Sequence, residues 1–206
     1  MRHILFSVLF FVIVFSGCKT TNNAISKNGS KLSQGMVVCS HPAASKVGID
    51  ILKQGGNAFD AAIATQLALA VCYPRAGNLG GGGFMVYRDQ NGQEGSLDFR
   101  ERAPYTSSTD MFLDNRGQVI DNMSLVGVYA SGVPGSVDGM WQMHREKGSL
   151  PWCQLVQPAV DLAQNGVILT FNEAEHMNEY AQIIDSVSKF STAYGQKKWK
   201  AGDRFI

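Results

Sequence analysis

Asp98, Arg100 and Arg102 alternate along the stretch SLDFRER, which places all three on one face of an extended strand and leaves Leu97 and Phe99 on the other. A guanidinium on such a face can grip a carboxylate through two parallel N–H donors, so the face reads either as a solvated surface or as the lining of a polar pocket. Other chemistries lack their residues. His144 is followed by Arg145 and Glu146 rather than by a zinc-protease pattern, and a lone helical histidine reads as a surface residue. The run GVPGS puts Pro134 where a hydrolase serine would stand. Asp98, Glu101 and Asp110 could supply a carboxylate pair, but spacing alone selects none. No nucleophile with an adjacent base is legible.

Four consecutive glycines, Gly80, Gly81, Gly82 and Gly83, stand directly before the strand-like run FMVYR. A Walker loop would require Lys-Ser/Thr and then a helix after its last glycine, whereas Gly83 is followed by Phe84 and a strand. A dinucleotide fingerprint counted from Gly80 or Gly81 meets Met85 or Val86 at its last glycine position. Both phosphate readings fail on context. The run therefore reads as a close-packed turn where backbones approach, whose N–H groups could still face an anion.

The elements that must hold this strand follow from local signals. Val37 and Val38 suggest a short strand, and Pro42 suits the first turn of a helix carrying Ala44, Val47, Gly48 and Ile51 at helical spacing. Gly55 and Gly56 end it in a left-handed cap. Asn57 with Asp60 three residues later approaches a capping box, and residues 58–72 are apolar on nearly every face, which predicts a buried helix covered from both sides. Asn91-Gly92 between FMVYR and SLDFRER signals a hairpin. Three further helices follow: one with Pro134 near its start and Gly148 past its end, one ending at Asn165-Gly166, and one with Asn172 and Glu175 at capping-box spacing. The closing GDRFI looks like an interrupted strand, so the expectation is a fragment of a longer precursor.

In 206 residues, 45% hydrophobic and 17% charged side chains describe an ordered globular chain. A net charge of +1 with no basic block argues against nucleic acid as a partner; QKKWK, residues 196–200, reads as a solvated turn. The first residues read as a secretory signal peptide, with Arg2 before an apolar run too short to span a bilayer. The ending FSGC resembles a lipoprotein lipobox, which would make Cys18 the lipidated first residue. Phe15 stands where that motif more often has leucine, so ordinary secretion is the alternative. The polar stretch KTTNNAISKNGSK is the tether. Removing Arg2 from eighteen basic residues leaves seventeen against seventeen acidic ones, a neutral mature chain. Cys39, Cys72 and Cys153 are too widely spaced for a disulfide framework or a metal clip, and Cys39 and Cys72 read as buried free thiols.

The segments GMVVCSHPAAS, ILKQGGNAFDAAIATQLALAVCYP, GNLGGGGFMV, LDFRERAP, ASGVPGSVDGM and LPWCQLVQPAVDLAQNGV occur in that order and cover most of residues 35–169. In this combination the chain resembles the N-terminal part of the large subunit of the gamma-glutamyltranspeptidases. The resemblance implies an α+β fold, an N-terminal nucleophile hydrolase-like αββα sandwich that is incomplete here. It implies a precursor that cleaves itself, and a small subunit whose leading threonine attacks a γ-glutamyl carbonyl with its own α-amino group as base. It implies no cofactor and no metal. Arg100, in Asp98-Phe99-Arg100-Glu101, matches the arginine that binds the substrate α-carboxylate, with glutathione as a representative substrate. Arg102 reads as a surface salt-bridge residue. No catalytic residue is expected in this chain, and Thr65, Thr106, Thr109 and Thr170 do not match the processing site. The expected organisation is a signal peptide over 1–17, a lipidated cysteine and tether over 18–33, and a partial large-subunit domain over 34–206. The expected location is exported, either periplasmic or membrane-anchored through the lipid. A glutaryl- or cephalosporin-type acylase of the same fold, and a non-catalytic truncated lipoprotein, are the alternatives.

Overall fold

The computed structural model describes residues 35–188, 192, 194, 195 and 197–206; the expected signal peptide and Cys18 with its tether lie outside the described residues. Helix α1, Pro42–Lys53, starts where Pro42 needs no hydrogen-bond acceptor and where the Nδ1 of His41 accepts from the Ala43 N–H at 3.1 Å. It ends as predicted: Gly55 takes φ +92°, the Gly56 N–H reaches the Ile51 carbonyl and the Gly55 N–H reaches that of Leu52.

Helix α2, Ala58–Cys72, carries the capping box in full. Asn57 Oδ1 accepts from the Phe59 and Asp60 N–H groups, and the Asp60 carboxylate accepts from the Asn57 N–H. Apolar nearly all round, it occupies the centre. Its Ile63 and Leu67 share one core with Ile51 of α1, Met140 and Met143 of helix α3 (Ser136–Lys147) and Leu155 of helix α4 (Trp152–Asn165). Each such buried side chain contributes about 1.5 to 3 kcal/mol. The close crossing of α1 over α2 requires Gly48, where any Cβ would overlap the Thr65 side chain.

Strands β1, Phe84–Arg88, and β2, Glu94–Asp98, form the expected antiparallel hairpin with Phe84 opposite Asp98 and Arg88 opposite Glu94. The closing residues also form a strand: β4, Arg204–Phe205, pairs antiparallel with β3, Val167–Ile168, just after Gly166 ends α4 at φ +72°. Between them lies helix α5, Phe171–Val187.

The structure corrects several local expectations. Val37 and Val38 form no strand, because no described residue pairs with them; Val37 packs beside Gly48, and Val38 is left exposed. Helix α5 is capped by Thr170 and Glu173, not by Asn172 and Glu175. Leu169 is still bonded to the Asp203 carbonyl, so Thr170 is the first residue able to turn, and its N–H donates to Glu173 Oε2 at 2.7 Å. His144 is half-buried, its ring between Trp141 and Trp152 and its Nε2 donating to the Leu150 carbonyl at 2.8 Å. Gly148 stands past the end of α3 as predicted, its N–H on the His144 carbonyl. Cys72 is buried as expected, and burial pushes its thiol up to about 11, which keeps it protonated; Cys39 is only half-buried, with Sγ 3.1 Å from Ser45 Oγ.

Candidate substrate-carboxylate site

The site is built on the β1–β2 hairpin. Its loop is longer than a two-residue turn: Asp89 pairs with Gln93 through the backbone, and Asp89 Oδ1 accepts from the Asn91 and Gln93 N–H groups. Gly92 supplies the left-handed residue at φ +79°. One face of the hairpin is anchored inward. Tyr87 lies over Gly95 and meets the Phe59 ring of α2 edge to face at 5.3 Å, while Lys147 of α3 sits 5.1 Å from the Tyr87 ring and 3.4 Å from Asp89 Oδ2. The opposite face presents Phe84, Val86, Ser96 and Asp98 outward.

Past β2 the chain runs between two glycine-lined walls. Gly83 and Phe99 exchange backbone hydrogen bonds, and a Cβ on Gly82 would come within 2.7 Å of Arg100 Cα and Glu101 N. On the other side the Arg102 and Val133 backbones pair, and the Gly81 carbonyl accepts from the N–H groups of Gly135 and Ser136, each at 2.9 Å. Phe99 fills the slot between the walls, its ring against Gly83 and Gly139. The close-packed role predicted for all four glycines is thus strictest at Gly82 and Gly83. Gly81 meets only the Asn78 side chain, and Gly80 faces open space.

Gly139 lies inside α3, where alanine normally stabilises a helix by about 0.5 to 1 kcal/mol. Here the added methyl would overlap the Phe99 ring. Gly139→Ala is therefore expected to destabilise the complete protein by about 1 to 3 kcal/mol, and Phe99→Ala, which removes the overlapping ring atoms, should cost less in that background than in wild type. Denaturant unfolding checks both, and a Gly139→Ala protein more stable than wild type would contradict the packing.

Arg100 is exposed, its N–H held by Asp98 Oδ1 at 3.0 Å and its guanidinium carbon 5.6 Å from the centre of the Phe84 ring. Among the described residues no carboxylate pairs with it, so its N–H fork is open to an anionic ligand. Arg102 is exposed nearby, tied down by its backbone to Val133. The expected polar strand face stops short: β2 ends at Asp98, so Arg100 and Arg102 lie past it, Arg100 reaching back to Phe84 on the hairpin's outer side and Arg102 bridged to Val133 instead. Thr65 is buried in α2, Thr170 is engaged in its cap, and Thr106 and Thr109 are exposed loop residues. No group of three His, Cys, Asp or Glu side chains suited to a metal ion occurs among the described residues. A cavity of about 110 Å³ beside Tyr73, Leu169, Met177 and Tyr180, with Arg75 and His176 in contact at its wall, lies on other elements and had no sequence signal. No helix among the described residues is long and apolar enough to cross a membrane.

This arrangement of helices and hairpins superposes on the crystal structure of Helicobacter pylori gamma-glutamyltranspeptidase with a TM-score of 0.80 at 40% identity, covering 86% of this chain and 52% of that one. A cephalosporin acylase from Bacillus halodurans is similar at a TM-score of 0.67 and 25% identity, over 81% of this chain and 32% of the acylase. The chain therefore carries part of an N-terminal nucleophile hydrolase fold, an α+β architecture whose sandwich is incomplete within these residues. The sequence model of the gamma-glutamyltranspeptidases matches residues 44–206, and the chain belongs to that family of enzymes. It is 40% identical over 207 aligned residues to the glutathione hydrolase proenzyme of Pseudomonas aeruginosa, spanning all of this chain and 36% of that relative. It thus spans about a third of the length of such relatives.

Proposed function

We propose that the chain is the opening portion of the large subunit of an exported γ-glutamyltransferase and glutathione hydrolase, and that Arg100 binds the α-carboxylate of the γ-glutamyl group. The observation that carries the reading is the guanidinium of Arg100, which pairs with no carboxylate among the described residues and lies just past a pinned hairpin inside the family's matched segment. In the complete enzyme the small subunit supplies the threonine. Its hydroxyl attacks the γ-glutamyl carbonyl, its α-amino group takes the hydroxyl proton, and that proton passes to the departing amine. Water or an amino-acid acceptor then resolves the acyl-enzyme, giving hydrolysis or transfer. Arg100 contributes orientation, holding the donor so that the carbonyl faces the nucleophile. The signal peptide over 1–17 and a lipid on Cys18 would place the enzyme in the periplasm or on the membrane surface.

The likeness to a cephalosporin acylase favours one second reading, a glutaryl-type acylase, because a glutaryl group also ends in a carboxylate. The two substrates differ in the α-amino group, which glutaryl lacks. The complete enzyme is expected to turn over γ-glutamyl-anilide in preference to glutaryl-anilide by more than about a hundredfold in kcat/KM, since a site built to pair an amino group discriminates strongly against its loss. A preference for glutaryl-anilide would establish the acylase reading instead.

A further inference from the structure

The Phe84 ring is 66% exposed at the first position of β1, on the polar side of the hairpin. Its own strand does not need it there. The inward residues Met85 and Tyr87 make the packing contacts, and Phe84 belongs to none of the hydrophobic clusters. What it does touch is Arg100. The register sets Phe84 opposite Asp98, so Arg100, two residues on and on the same side, is its diagonal neighbour, and the guanidinium carbon lies 5.6 Å from the ring centre. Asp98, two residues before it, has its Oδ1 taken by the Arg100 backbone N–H, and neither Asp98 nor the adjacent Glu101 makes an ion pair with the guanidinium.

We propose that Phe84 is the positioning residue for Arg100: its ring holds the guanidinium by a cation–π contact while leaving the N–H fork free for the substrate carboxylate. A carboxylate partner would position the side chain as well, but it would occupy the donors that the ligand needs. An aromatic face attracts the cation through its quadrupole and takes none of the N–H groups. It also strips water from the contacting side of the guanidinium, so an arriving carboxylate displaces less hydration. The inference rests on the reading of Arg100 as the carboxylate ligand.

The test uses the processed, complete enzyme with γ-glutamyl-anilide and with 4-aminobutyryl-anilide, which lacks the α-carboxylate. Phe84→Leu is expected to raise KM for the γ-glutamyl substrate about tenfold with kcat within about twofold, and to leave the aminobutyryl substrate unaffected. Phe84→Trp should restore the wild-type KM, and in an Arg100→Lys background Phe84→Leu should cost far less than it does alone. A wild-type KM in Phe84→Leu beside an impaired Arg100→Lys overturns the role of Phe84 alone. So does an equal loss on both substrates, or a loss that persists in full without Arg100. A wild-type kcat/KM in Arg100→Lys overturns the carboxylate-binding reading itself, and the role of Phe84 with it.

Discussion

Arg100→Lys in the complete enzyme should lower kcat/KM for γ-glutamyl substrates by about two orders of magnitude. The substitution keeps the positive charge, so simple charge attraction predicts little change; the expected loss comes from geometry. A lysine ammonium is a point donor that cannot make two parallel N–H bonds to one carboxylate. Its shorter head is also poorly placed over the Phe84 ring, which the Arg100 guanidinium reaches at 5.6 Å. Truncating one partner of a desolvated, hydrogen-bonded charge pair costs about 2 to 5 kcal/mol, and retained charge places lysine toward the lower part of that range. Steady-state kinetics on γ-glutamyl-anilide measures it directly. The same substitution tested on 4-aminobutyryl-anilide should have a far smaller effect, and a wild-type value on γ-glutamyl-anilide would end the assignment.

What could be read from the sequence were the features whose physics is local. Pro42, Gly55, the Asn57-Asp60 box and Gly166 each start or stop their own segment, and each sits where its chemistry predicts. Asn91-Gly92 marked the hairpin for the same reason, although Asp89 widened its loop by capturing two N–H groups. Arg100 was legible as a residue on the polar side through the period of two, although β2 itself stops at Asp98. Its lack of an acidic partner and its contact with Phe84 were not, because both depend on how strands pair. The slot for Phe99 was also out of reach, since it is formed by Gly83 on one wall and by Gly139 from a distant helix on the other. A glycine inside α3 gives no hint of a ring from another element. The failure at Val37 and Val38 has the same root: β-branched residues favour extension, but only a neighbouring strand makes them a sheet.

Asp60 couples the hairpin's support to the core, and its loss should be the most destabilising single change. Its side chain is fully buried, yet it accepts from the Asn57, Ser149 and Leu150 N–H groups and from the Ser149 hydroxyl, closing the link from α3 to α4 against the start of α2. Asn57 Nδ2 adds a bond to the Lys147 carbonyl at 2.6 Å, beside the lysine that holds Asp89 and Tyr87 of the hairpin. Asp60→Ala removes the shared, fully buried acceptor of four part-buried donor bonds, so a total loss of about 2 to 4 kcal/mol is expected by denaturant unfolding of the complete protein. Asp60→Asn keeps the shape but turns an NH₂ toward donors, and should also destabilise. Burial alone would raise the Asp60 carboxyl; the Ser149 hydroxyl and the Asn57, Ser149 and Leu150 N–H groups outweigh it and hold the group below its ordinary value of 3.8. A carboxyl lowered in the folded state contributes its full stabilisation above the unfolded value and loses it as pH falls through the folded one. The stability gap between wild type and Asp60→Asn should therefore be full at pH 7 and shrink as the pH drops below 3.8. A gap independent of pH would mean that the carboxylate charge is not what these donors hold.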